Sequence, residues 1–443
     1  MTHIHKYFII VLMICVLATG CAPKLTPSPV SPTTQPTQNG EGEVEPVRLL
    51  QSDKSRIENP QAAEADLDRL EGGNRAFALD LYQQLRVKDG NLFYSPYSIS
   101  LALAMTFAGA RGETESQMAQ AMHFDLPQAS LHPAFNALSL KLASRAQPAG
   151  EDQEGGLMLN IANSLWGQAG FSFQSDFMDM LAESYGAGMR EVDFANSEQA
   201  RQLINDWVAE ETRDKIKDLI PSGALNPLTR LVLANAIYFK AAWQYPFEEQ
   251  ATSKDDFTLL EGEVIQADTM RQSKMFGYAK GDGYQSVELP YSGRSTSMLI
   301  FLPDEDRFEE FEAALDSELI TDTLDNLTPA QVELSLPKFK VESTFSLNEA
   351  LAALGMPDAF DADKADFSGM TGQPDLFISS VVHKAFVDVN EAASVPASTA
   401  VIMELKAMPS ESVTLKINRP FIFAIIDRET GTILFMGRVL DPR

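Results

Sequence analysis

Side chains able to carry out chemistry are few in this chain, and their positions narrow its function. Histidine occurs five times, and only His123, His132 and His383 lie beyond the N-terminal apolar segment. Cysteine occurs twice, as Cys15 and Cys21. No HExxH, paired CxxC, phosphate-loop or G-x-S-x-G spacing is present, so the usual carriers of metal-assisted hydrolysis, nucleotide binding and acyl transfer are missing. His123, within Met122-His123-Phe124, reads as a packing residue at a helix end. A Ser–His–Asp triad built on His383 has no motif to name its serine.

The informative stretch begins at His383 and runs on. Residues 381–391 (VVHKAFVDVNE) are dense in Val and Phe and read as a buried strand. Residues 392–400 (AASVPASTA) are uncharged and almost all small. Residues 401–412 (VIMELKAMPSES) mix apolar, charged and turn-forming types, as an exposed segment does. Strand chemistry then returns, with a hairpin cue at residues 427–431. An ordinary loop would carry Gly, Asn, Asp and Lys. A small-residue run suits a segment that must slide between packed strands, where bulk would clash.

The elements that must position this stretch alternate irregularly. Apolar spacing predicts helices over residues 67–87, 98–110, 114–122, 132–143, 173–185, 197–217, 307–315 and 344–354. It predicts strands over 157–166, 231–239 and 381–391, and short antiparallel strands between 256 and 301. Helices dominate the first half and strands the second, without βαβ repeats, so the class is α+β.

The order of several short motifs identifies a family. They are NLFYSPYSI (91–99), NIAN (160–163), LAN (233–235), FKAAW (239–243), PFE (246–248) and DFSGM (366–370). VHKAFVDVNE (382–391), Asn418 with Pro420 and Phe421, and FMGRV (435–439) follow. From residue 66 onward the chain resembles the serpins. That resemblance implies eight or nine helices around three β-sheets, with an exposed reactive-centre loop. It implies no cofactor and no catalysis: the chain would be a monomeric suicide inhibitor of serine, or cysteine, proteases. The cut loop would insert into the central sheet and carry the trapped acyl-enzyme with it.

Residue roles follow from the same resemblance. Ser98, Asn235 and His383 match a polar cluster beneath the point where the sheet parts, and Trp243 the aromatic residue at the top of the opening. The hinge spans Glu391, Ala393, Ser394, Pro396, Ala397, Ser398, Thr399 and Ala400. Ala393 stands where the family has Gly, and Pro396 interrupts the alanine run. Proline donates no ladder hydrogen bond, so a non-inhibitory surface or binding protein of the same fold is the alternative. Counting seventeen positions from Glu391 ends at Ala407, predicting elastase- or subtilisin-like targets. A hinge one residue short gives Lys406 and trypsin-like targets, and a longer far side gives Met408.

The N-terminus reads as an export segment. A mildly basic start precedes an apolar run, residues 7–18, too short to span a bilayer. LATGC (17–21) then looks like a bacterial lipoprotein signal, with residues 1–20 removed and Cys21 lipidated; an ordinary secretory signal is the alternative. Residues 21–65 are rich in Pro, Thr and Ser and read as a disordered tether to residues 66–443, the globular domain. A net charge of −27 argues against nucleic acid and polyanions. Only Lys141 and Arg145 are basic along residues 132–146.

Overall fold

Period-two burial is the plainest local signal. Along Phe339–Ser346 every second side chain is buried and its neighbours are exposed. Leu231–Lys240 and Phe421–Asp427 are instead buried almost throughout, as strands covered on both faces are. The computed structural model describes residues 47–145, 158–391 and 412–443.

Among these residues the strands are β1 (Arg48–Leu50), β2 (Leu92–Tyr94), β3 (Met158–Gln168), β4 (Met189–Val192), β5 (Leu231–Lys240), β6 (Ser253–Thr258), β7 (Val264–Gly281) and β8 (Tyr284–Pro290). They continue as β9 (Thr296–Pro303), β10 (Thr328–Pro337), β11 (Phe339–Ser346), β12 (Ile378–Val389), β13 (Ser412–Lys416), β14 (Phe421–Asp427) and β15 (Ile433–Val439). One sheet has six strands in the order β1-β4-β3-β5-β12-β11. The other has nine, ordered β13-β10-β7-β8-β9-β14-β15-β2, with β6 also on β7. β7 is 18 residues long. It pairs first with β6 and β10 and finally with β8, so two of the three expected sheets are joined in one hydrogen-bonded network.

Ten α-helical segments accompany these strands among the described residues. The helix Pro96–Phe107 is buried on every side and touches β3, β5 and β15, which places it between the sheets. Its start is encoded locally. Pro96 supplies a helical φ where no donor is needed, and the Ser95 hydroxyl accepts the Ser98 N–H.

Three elements differ from expectation. The helix predicted over residues 344–354 is only Asn348–Ala353, because Thr344, Phe345 and Ser346 continue the period-two pattern of β11. The helix predicted to 217 ends at Glu211, where Arg213 and Asp214 adopt positive φ. Residues 47–63, expected within the tether, pack on the domain. β1 pairs antiparallel with β4, Val47 and Leu50 join the apolar clusters, and Ile57 N–H donates to Glu183 O at 2.9 Å. Gly188 makes room for this strap, since a Cβ there would lie 2.4 Å from Leu50 O.

A buried ion cluster fastens the helix Glu64–Leu85 to the second sheet. Arg438 on β15 meets Glu312 at 2.8 Å with both side chains almost fully buried, and the Tyr82 hydroxyl donates to the same carboxylate at 2.7 Å. Arg438→Met leaves Glu312 short of its buried partner and should cost about 3 kcal/mol, measured by denaturant unfolding.

Candidate functional site

β5 and β12 lie side by side in the interior of the six-stranded sheet and run parallel. Their ladder runs from Ile378↔Leu231 to Phe386↔Tyr238 and stops there. Both strands continue, β5 to Lys240 and β12 to Val389, and β12 stays paired to β11 as far as Val389. The seam between β5 and β12 is therefore closed below and unpaired above.

One rung crosses four strands of this sheet. Asn163 on β3 faces Asn235 on β5, Asn235 faces His383 on β12, and His383 faces Phe345 on β11. The helix Pro96–Phe107 brings Ser98 onto the same row. His383 Nε2 accepts the Ser95 N–H at 3.1 Å, so Nδ1 carries the proton and donates to Asn235 Oδ1. Asn235 Nδ2 donates to Ser98 Oγ at 2.7 Å and to Asn163 Oδ1. Asn163 Nδ2 donates to Ser98 O at 3.1 Å. The imidazole also lies parallel to the Phe345 ring, 6.5 Å away between centroids. Buried amides and hydroxyls are tolerated in such a core because each has partners.

Complete burial pushes the His383 pKa down to about 3. The ring is thus neutral and locked by two hydrogen bonds, which suits a structural role and not that of a base.

The upper end of the seam is spanned by other groups. Trp243 Nε1 donates to Asn390 O at 3.1 Å, and its ring stacks on Tyr291 at 4.6 Å. Glu391, the last residue before 392–411, is nearly buried. It accepts from Thr252 Oγ1 at 2.7 Å and pairs with Lys338 at 2.8 Å. Desolvation works to raise its pKa, but the hydrogen bonds from Lys338 and Thr252 together hold it below the usual glutamate value.

The expected cluster is thus brought together: Ser98, Asn235 and His383 share one network, and Trp243 stands at the seam's end. Ala393, Ser394, Pro396, Ala397, Ser398, Thr399, Ala400, Lys406, Ala407, Met408 and Cys21 lie outside the described residues. Sequence reasoning missed Asn163, although a polar residue inside an apolar strand was a usable signal. It also missed Ser95, which the serine-before-proline helix start could have flagged. Nothing local marks Lys338 or Thr252 as anchors of Glu391. Lys141 pairs with Glu429 at 3.0 Å, and Arg145 pairs with Asp427 at 3.3 Å and with Glu429. Both cations of that face are engaged by carboxylates.

Residues 72–442 match the family profile described as Serpin (serine protease inhibitor). The chain belongs to the serpin family. It is 40% identical over 372 residues to an uncharacterized serpin-like protein of Thermococcus kodakarensis, covering 83% of this chain and 84% of that one. It is 38% identical over 392 residues to the leukocyte elastase inhibitor of Homo sapiens, covering 85% of this chain and all of that one. Among solved structures, the native thermophilic serpin tengpin superposes with a TM-score of 0.77 at 31% identity, over 88% of this chain and 97% of that one. Uncleaved ovalbumin superposes with a TM-score of 0.74 at 26% identity, over 84% of this chain and all of that one. The serpin fold, α+β with a parallel central pair, is therefore the fold of this chain.

The depressed His383 pKa has a signed consequence. The unfolded ring protonates as pH drops below about 6.5, whereas the folded ring resists until about 3. Its contribution to this serpin's stability is complete above 6.5 and is lost as pH falls toward 3. His132, pushed down to about 4 mainly by burial, acts in the same direction. Thermal melting between pH 7 and 4.5 should show a shallower acid slope in His383→Gln than in the unmodified protein.

Proposed function

We propose that this serpin is an irreversible suicide inhibitor of serine endopeptidases, and of cysteine endopeptidases that form the same acyl-enzyme. The observation that carries this reading is the seam. β12 leads into residues 392–411, and β5 and β12 run parallel with no strand between them. A strand turning back at residue 392 would be antiparallel to both neighbours, replacing one slanted parallel ladder with two antiparallel ones.

The chemistry uses the protease's nucleophile. It attacks the carbonyl carbon of the bait residue, the acyl bond forms, and the amine of the following residue leaves. The freed segment then inserts before water can cleave the acyl bond. Within the polar row only the His383–Asn235 bond crosses the seam. Asn235 keeps Ser98 and Asn163 on its side, and His383 keeps Ser95. Opening therefore costs the row one hydrogen bond and leaves both side chains with partners.

Ala407 is the bait residue when Glu391 begins a hinge of full length, and elastase- or subtilisin-like proteases are then the targets. The relatives named leukocyte elastase inhibitor support that choice. Lys406 would direct the inhibitor to trypsin-like enzymes and Met408 is the third position. The second reading, a non-inhibitory binding or surface protein cleaved as a substrate, rests on Pro396, which removes one ladder bond from an inserted strand. The signal-like residues 1–20 and Cys21 support export with lipid anchoring to a bacterial envelope. Secretion is the alternative, and 21–46 would serve as spacer.

Mixing the full chain with trypsin, and separately with a subtilisin-type protease, tests this reading. A denaturing gel should show a band at the summed mass, and the released peptide should begin at residue 407, 408 or 409. Clean cleavage without that band would support the substrate reading. Pro396→Ala should raise the fraction of protease trapped per loop cut.

A further inference from the structure

The strap of residues 47–63 does more than cover a strand edge. Together with β3 and the helices Pro96–Phe107 and Gln128–Ala143 it lines an open cavity of about 410 Å³, within the range of small-molecule sites. The strap's residues, Arg56 among them, precede the segment 72–442 that matches the family profile.

The lining has two characters. Leu101, Met105, Leu142 and Ile161 give it an apolar floor. Its charged residues are Arg56, Arg190 and Glu211, an excess of one positive charge in a chain whose net charge is −27. Arg56 Nε donates to Asn136 Oδ1 at 2.9 Å, which fixes the guanidinium. Its Nη2 is buried and makes no hydrogen bond among the described residues. Trp207 lines the same cavity, and its Nε1–H is likewise buried and unpaired. The Arg190 guanidinium is held over the Trp207 ring at 4.9 Å. Buried donors without acceptors are rare in folded proteins and ask for an explanation.

We propose that this cavity binds a small carboxylate with an apolar body, its oxygens accepting from Arg56 Nη2 and its hydrocarbon lying on Leu101, Leu142 and Ile161. A carboxylate supplies acceptors where the cavity offers donors, and hydrogen bonds to a charged partner in a partly dry site are the strong ones. The alkyl chain matches the floor, where apolar surface leaves water. Because β3 and the strap share the cavity, the bound form of the serpin is also the more stable one.

The probe is decanoate, with decanol as its uncharged analogue. Calorimetric titration of the full chain should show one saturable decanoate site, a rise in melting temperature, and a change in Trp207 fluorescence that disappears in Trp207→Phe. Decanol should bind at least tenfold more weakly. Arg56→Leu should lose at least tenfold in decanoate affinity while its affinity for decanol stays unchanged. The decanoate–decanol comparison on the unmodified protein stands even if the Arg56 variant fails to fold. Equal binding of the two probes, undiminished decanoate binding by Arg56→Leu, or no saturable decanoate site would overturn the proposal.

Discussion

The interaction on which the structure turns is the parallel ladder between β5 and β12. Parallel pairs are slightly weaker per residue than antiparallel ones, and this one stops at Phe386↔Tyr238 although both strands run on. The sheet is complete on either side, with β3 held to β5 from Met158 to Gly167 and β11 held to β12 from Phe339 to Ser346. An internal parallel ladder that stops short therefore lies beside the strand that feeds residues 392–411. An edge strand can be covered; a central seam can only be held shut.

Three devices hold it. The row Asn163–Asn235–His383 keeps a hydrogen bond on each half of the sheet and spans the seam through one side-chain bond. The helix Pro96–Phe107 supports that row from beneath through Ser95 and Ser98. Above the end of the ladder, Trp243 reaches across to Asn390 O, and Lys338 and Thr252 fix Glu391. The seam-crossing side-chain bond can break without leaving a bare charge in the core, because His383 is neutral, while Lys338 and Thr252 keep Glu391 partnered. A seam held by interdigitated apolar bulk alone would resist opening through cavity formation.

Much of this was legible in the sequence, for reasons that can be named. The strands around His383 and Asn235 announced themselves as Val-, Ile- and Phe-rich runs, and the roles of those two residues came from the resemblance to the serpins. The hairpin joining β14 and β15 was legible from residues 427–431, where Gly431 takes a positive φ. What stayed hidden was long-range. The parallel register that puts His383 opposite Asn235 spans nearly 150 residues of chain. The Lys338–Glu391 pair depends on sheet geometry and has no local pattern. The boundary of the strand β11 was lost because residues 344–354 mix period two with period 3.6. The strap was hidden by its polar composition, in which Val47, Leu50 and Ala62 are the apolar residues that pack on the core clusters.

If the shut seam stores strain, cutting the chain between residues 392 and 411 must change the whole molecule. The direct measurement is the melting temperature, by circular dichroism, of the intact full chain and of the same chain nicked in that segment by a protease that has dissociated. Insertion of the segment between β5 and β12 predicts a higher melting temperature for the nicked chain than for the intact one. An unchanged or lower melting temperature after the cut would contradict it, because the parallel ladder would then be the sheet's final state.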